Sequence, residues 1–278
     1  MADDHLDWED IRAFAVALES SSYRQAAERL GTTHPTVRRR LASLEASTGL
    51  RLFQRDVPGL HATSEGRQLV DAAREVERSV QAFARQARAA DARARGAVKV
   101  TIAMSTAMLL APAIAAFCAS WPEIQVIVDT DEAFADLASL EADIAVRAYA
   151  GGRRPDPSLA GRHAVSAMQA VYGDPGARCW IATADTPEWV TTTPFPDLPV
   201  RAVISEAHLR FEACRLGMGL AVLPCVLGDP CLSRRSEPEH GYDVWVLVHP
   251  DARHNARFKL FRDAMVAALR ALEPASLG

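Results

Sequence analysis

The sequence holds little that would tie it to an oxidising compartment, a membrane or a catalytic centre. Its five cysteines, Cys118, Cys179, Cys214, Cys225 and Cys231, are odd in number, scattered, and form no Cys-x-x-Cys pair. Neither a disulfide framework nor a zinc site fits that spacing. Buried reduced thiols are expected, with a thiol switch between Cys225 and Cys231 as the alternative. No charge-free apolar run reaches the ~20 residues that span a bilayer. The first segment, MADDHLDWEDIRAF, is acidic and lacks the basic start and apolar stretch of a secretory signal. A cytoplasmic location with no membrane partner is therefore expected. Gly-x-Ser-x-Gly, His-Glu-x-x-His and phosphate-loop runs are also missing. His163, His208, His240, His249 and His254 lack the spacing of ligands on one helix face. These absences weigh against an enzyme or a solute-binding protein, and no catalytic residue, metal or cofactor is expected.

What is present is a globular balance: 49% apolar and 24% charged residues over 278 positions, enough for two or three cores. The net charge of −4 conceals an uneven distribution. Residues 1–95 carry 15 Lys/Arg against 14 Asp/Glu, and residues 96–278 carry 16 against 21. Within residues 37–55 there are five arginines and one glutamate. A polyanion touching that segment would feel the local charge, whatever the sign of the whole.

Asp7 is placed to cap a first helix whose stripe is Ile11, Phe14, Ala15 and Leu18. Ser20 to Ser22 break it. A second helix over residues 23–30 points Ala26, Ala27 and Leu30 inward, and Gly31 offers a left-handed C-cap. Thr33 is placed to cap a third helix with Pro35 in its first turn, where no intrahelical N–H is needed. Val37, Leu41 and Leu44 recur along it, leaving Thr36, Arg38, Arg39 and Arg40 on outer and flanking faces. Residues 50–54 and 60–63 read as two short strands around Pro58-Gly59, a wing. From Ser64 a long helix carries Leu69, Ala73, Val76, Val80, Phe83, Ala87, Ala90 and Ala94 in steps of four and three. Such a seam pairs two copies of the chain, the alternative being one amphipathic helix packed on its own domain.

After Gly96 the pattern becomes α/β. Strands are expected at 98–103, 124–129 and 143–147, with helices at 105–120 and 132–140, implying right-handed crossovers and a parallel sheet. A Gly/Arg/Pro-rich linker, 151–157, precedes a second lobe with strands at 168–172, 180–182 and 200–204, a helix at 208–216 and an apolar run at 220–223. A strand at 242–249 and a helix at 256–272 return to the first lobe. The expected organisation is a winged three-helix domain at 1–66, a linker and dimerisation helix at 67–95, and an α/β domain at 96–278. In that domain lobe I takes 96–158 and 239–278, and lobe II takes 159–238.

Residues 22–66 carry a family resemblance. Ala26-Ala27, Leu30-Gly31, Pro35, Leu44-Glu45, then Gly49, Leu52, Phe53 and Arg55, and finally Thr63 and Gly66, stand at the spacing of the LysR-type winged helix-turn-helix. The α/β half is similar to that family's effector domain along its length, more divergently, and is shorter after Tyr172. The resemblance implies a winged helix-turn-helix, a long linker helix and a doubly wound, two-lobed domain of the periplasmic-binding-protein type. It implies a transcriptional regulator that binds double-stranded DNA at a partly palindromic operator. The implied assembly is a homodimer through Leu69, Ala73, Val76, Val80 and Phe83 that goes on to a tetramer, with RNA polymerase as a further partner. The residues expected at DNA are Tyr23, Thr32, Thr33, His34, Pro35 and Thr36 around the helix start, Arg38, Arg39 and Arg40 along it, and Arg55 and His61 at the wing. Arg38 stands where the family has a small hydroxyl residue, and His34 where it often has glutamine, so operator preference does not transfer.

Ligands of a doubly wound fold lie beyond the carboxyl ends of its strands. Ser105 and Thr106 after the first strand, Thr130 after the second, Arg147 at the end of the third and Ser205 in lobe II are the candidates for a small effector of unknown identity. Each also reads as an ordinary cap or surface residue. The remaining alternative is a regulator with no effector, acting constitutively or through a protein partner.

Overall fold

The computed structural model describes residues 6–54, 59–89, 93–130, 137, 142–183 and 188–272. The chain divides into two compact units, Met1–Ala84 and Arg85–Gly278, a division that falls inside the linker segment.

In the first unit, α1 (Trp8–Leu18) starts where Asp7 Oδ1 accepts the Glu9 amide at 2.8 Å. Before α2 (Tyr23–Leu30), Ser22 Oγ accepts the Gln25 amide (3.2 Å) and Gln25 Oε1 accepts the Ser21 amide (2.7 Å), a reciprocal cap. Gly31 ends α2 at φ +62°, a left-handed turn that a side chain would strain. The recognition helix α3 (His34–Thr48) begins with Pro35 in its first turn. Thr33 holds the cap position, but its hydroxyl lies 2.9 Å from that of Thr36 and makes no cap bond. Ala13, Phe14, Ala26, Ala27, Val37, Leu41, Leu44, Leu52 and Phe53 form the core of this unit. The Phe14 and Phe53 rings meet edge-on at 5.8 Å. Each large side chain buried there contributes about 1.5–3 kcal/mol, against about 0–1 for a surface ion pair, so the apolar stripes hold the three helices together.

The wing is slighter than expected. Among the described residues there is, in place of two strands, one bridge, Phe53 to Ala62, with the Gln54 amide donating to the His61 carbonyl at 2.9 Å. The amides of Leu52 and Phe53 donate instead to Glu45 Oε1 (2.7 and 3.2 Å), so α3 takes donors that a longer ladder would need.

The long helix is also interrupted. α4 (Ser64–Gln68) ends at Leu69, and α5 (Val70–Ala89) follows. Leu69 and Ala73 pack into the first core, whereas Val76, Val80 and Phe83 are exposed. Ala87 is exposed, Ala90 lies outside the described residues, and Ala94 packs within the second unit. The expected seam is therefore not one continuous stripe.

The second unit runs β1 (Gly96–Ile102), α6 (Met104–Ser120), β2 (Ile124–Asp129), β3 (Ile144–Ala150), β4 (Ala160–Tyr172), β5 (Trp180–Ala182) and β6 (Val200–Val203). It continues through α7 (Ala207–Arg215), β7 (Ala221–Pro224), α8 (Cys225–Gly228), β8 (Glu239–Val248) and α9 (Ala256–Ala271). The helix expected at 132–140 lies outside the described residues, Leu137 excepted. The main sheet has the order β2-β1-β3-β8-β4-β7. Only β1 with β2 and β3 is parallel; β3–β8, β8–β4 and β4–β7 are antiparallel, so the sheet is mixed. β5 and β6 form a second, parallel pair.

The physical reason for the mixed sheet is the pair of long strands. The spacing predicts a strand only at 168–172, but β4 spans 13 residues, and β8 begins three residues early. Together they run antiparallel from one lobe into the other, with register shifts at His163/Val165 and Ala167/Met168. Lobe I has its core between the sheet, α6 and α9 (Val100, Phe117, Ile144, Val246, Phe258, Phe261). Lobe II has its own (Tyr172, Ile181, Phe211, Cys214, Leu223, Cys225). Of the five thiols only Cys214 and Cys225 are buried; Cys118 and Cys231 are exposed and Cys179 half-buried, which corrects the expectation of five buried thiols. Burial pushes the Cys214 thiol up to about 11.

Candidate functional site

The start of α3 opens onto solvent. Thr33, His34 and Pro35 are exposed, while Thr32 and Thr36 are half-buried behind them. Apolar Val37, Leu41 and Leu44 hold the opposite face in the core, and that spacing turns Arg38 and Arg39 outward. Among the described residues, neither arginine has a carboxylate partner. The Arg38 guanidinium lies over the Tyr23 ring at 5.3 Å, which holds the two side chains together beside the helix start. His61 is exposed on the wing, and Arg55 lies outside the described residues. Free N–H groups at a helix start, two guanidinium groups open to solvent and short hydroxyls are the donors that a phosphate backbone and base edges accept.

Arg40 departs from expectation. Its Nη1 donates to Glu9 Oε2 at 2.9 Å and the side chain is half-buried, so it braces α3 against α1 rather than joining the exposed face. The residues that sequence reasoning missed are of this bracing kind. Glu45 holds the Leu52 and Phe53 amides. Thr63 Oγ1 donates to the Arg51 carbonyl at 2.6 Å and accepts the Gly66 amide at 3.0 Å. Glu19 binds Arg29 (2.9 Å) and Arg74 (3.3 Å), and the hydrogen bond from Arg29, then that from Arg74, holds its carboxyl below the usual range. The motif glutamate and threonine gave a signal of their presence, but spacing alone did not reveal their partners.

In the second unit, neither cavity lined by described residues takes in more than one of the five effector candidates. Ser105 and Thr106 lie in the first turn of α6, Thr106 buried; Thr130 follows β2 and is half-buried. Arg147 does not end β3, which continues to Ala150; its Nη2 donates to Thr101 Oγ1 on β1 at 2.9 Å. Arg147 also lines an open cavity of about 700 Å³ with Tyr149, Arg153 and Arg154, and none of the other four candidates is among its lining residues. Ser205 is exposed, and its carbonyl accepts from Arg210 Nη1 at 2.6 Å. A second cavity of about 540 Å³ lies in lobe II, lined in part by Gln169, Val171, Ile181, Thr193, Arg210 and Val222. Arg210 was missed, though a cation on the inner stripe of α7, beside Phe211, Ala213 and Cys214, was a readable sign. Where the crossing strands meet, Asp243 accepts from Ser166 Oγ at 2.7 Å, with His240 and His163 Nε2 at 3.2 Å. These contacts, that of Ser166 first, keep its carboxyl below the usual range.

Residues 8–67 match the family described as bacterial regulatory helix-turn-helix protein, lysR family. Over 94% of the chain and 96% of the relative, the sequence is 29% identical to the transcriptional regulator CrgA of Neisseria meningitidis serogroup C (strain 8013). It is 31% identical to the regulator CbbR of Xanthobacter flavus over 56% of the chain, a match spanning 46% of that relative's length. In structure it is similar to CrgA from Neisseria meningitidis, described as a LysR-type transcriptional regulator (TM-score 0.53, 23% identity, 95% of this chain and 99% of that one). It is similar also to a full-length variant of AphB (TM-score 0.57, 19% identity, 94% and 98%). At those identities the structures show a shared fold: a helix-turn-helix domain followed by a mixed α/β domain.

Proposed function

This chain belongs to the LysR family of helix-turn-helix regulators, DNA-binding proteins of transcription rather than enzymes, and we propose that it acts as a homo-oligomer whose DNA binding or activation is set by a small molecule held in its second unit. The observation that carries the reading is the exposed start of α3 with Arg38 and Arg39 open beside it. Recognition through that turn places the helix in a major groove. Its work on DNA implies a cytoplasmic location, in keeping with the described helices, none of which is long and apolar enough to cross a membrane. RNA polymerase is the further partner wherever the bound complex activates.

Pairing is supported by Val76, Val80 and Phe83, which α5 exposes at steps of four and three, Phe83 to 74%. A second copy of α5 removes them from water. Phe83→Asp should then convert a dimer into a monomer in light scattering, and an unchanged mass would argue against this seam.

Binding to the intergenic DNA beside its own gene should weaken steeply with salt and leave a footprint of two half-sites spaced by whole helical turns. Equal affinity for unrelated DNA would overturn the proposal. A ligand that raises thermal stability should also alter that footprint. A footprint indifferent to every bound ligand would favour control through a protein partner or constitutive action.

A further inference from the structure

The guanidinium of Arg210 is buried and makes no salt bridge among the described residues, and its Nε is left without a hydrogen-bond partner. The residue is 7% exposed. Its Nη1 donates to the carbonyls of Ile204 (2.7 Å) and Ser205 (2.6 Å). The nearest acid to act on it, Glu206, partly offsets the charge from a distance while its Oε2 accepts the Leu209 amide at 2.7 Å to cap α7. An arginine does not shed its proton to escape burial, so an unpaired one is costly until an anion arrives. Desolvation accordingly lowers its pKa.

The surroundings define that anion. Arg210 lines the cavity of about 540 Å³, whose apolar walls are Ala170, Val171, Ile181, Pro194 and Val222. Thr183 follows β5, and Ile204–Ser205 follow its parallel partner β6, so the site lies at the carboxyl ends of strands. Glu237 and Glu239 stand on the same lining, and Glu239 Oε1 accepts from Gln169 Nε2 at 3.1 Å. Two carboxylates so placed repel a second negative charge on a ligand.

We infer that this lobe II cavity binds a small monocarboxylic acid with an aliphatic body, its carboxylate on Arg210 and its body on the Val171–Ile181–Val222 wall. The inference rests on the ligand-responsive reading above and names the ligand class and its anchor.

The test uses the full chain with cyclohexanecarboxylate, cyclohexanecarboxamide and cyclohexane-1,4-dicarboxylate, read by calorimetry and thermal shift. The monoacid should bind and raise Tm, the amide should not, and the diacid should bind about tenfold more weakly. Arg210→Gln should weaken the monoacid by about tenfold or more. Glu239→Gln, an exposed change that leaves the carbonyl contacts of Arg210 intact, should narrow the gap between monoacid and diacid, and serves if Arg210→Gln fails to fold. An amide that matches the acid, a preferred diacid, or no shift with the monoacid would overturn the inference. So would wild-type monoacid binding by Arg210→Gln. Monoacid binding that leaves the DNA footprint unchanged would sustain the site and sink the effector reading. A footprint that responds to a ligand both variants bind normally would do the reverse.

Discussion

At the scale of single residues, neighbouring arginines of one helix serve different ends. Arg39 is exposed, with no carboxylate partner among the described residues, whereas Arg40 is held by Glu9 at 2.9 Å. Arg39→Ala should lower the slope of log affinity against log salt by about 1, as loss of one phosphate contact does. Arg40→Ala should leave that slope unchanged; an equal loss in both would show that Arg40 leaves Glu9 on DNA. Gly66 is fixed by space rather than by backbone angle. A Cβ there would fall on the Leu52 carbonyl. Gly66→Ala should therefore cost about 1–3 kcal/mol through overpacking, read as a lower urea midpoint. An unmoved midpoint would mean that the wing shifts aside freely. The motif made Gly66 legible as important, but only the packing explains why.

Between elements, polar clamps fix how helices meet. Glu19, at the end of α1, reaches Arg29 on α2 and Arg74 on α5. Its folded pKa lies below its unfolded one, so its contribution is fully present above the unfolded value, about 4.3. That contribution is lost as pH falls through the lower, folded value. The Tm of the first unit should fall on acidification from about pH 6 to pH 3, and Glu19→Gln should show a smaller fall over the same range. Parallel curves for the two proteins would remove Glu19 from the account. Sequence periodicity located α1, α2 and α3 well because each buries one apolar stripe. It placed α5 less well, because Leu69 and Ala73 satisfy the same pattern by packing on their own core while Val76, Val80 and Phe83 do not.

At the scale of the whole molecule, two compact units with separate cores should unfold in two steps. A ligand of the α/β unit should raise only one of them by mass action. Calorimetry of the full chain checks this, and one transition that moves as a whole with ligand would contradict it. The recognition helix, with its exposed start, was determined by the sequence alone, because caps, a first-turn proline and a 3.6-residue apolar period are local instructions. The alternation of strands and helices was equally local. Strand direction in the main sheet was not, since β3, β8 and β4 meet across distant stretches of chain and periodicity carries no sign of orientation. The same holds for charge. The sequence showed five arginines against one glutamate near α3, and only the fold decided that Arg40 would be neutralised by Glu9 while Arg38 and Arg39 stayed open. It decided likewise that Arg210 would be buried beside a cavity with no carboxylate partner among the described residues, because pairing depends on distances that the order of residues does not contain.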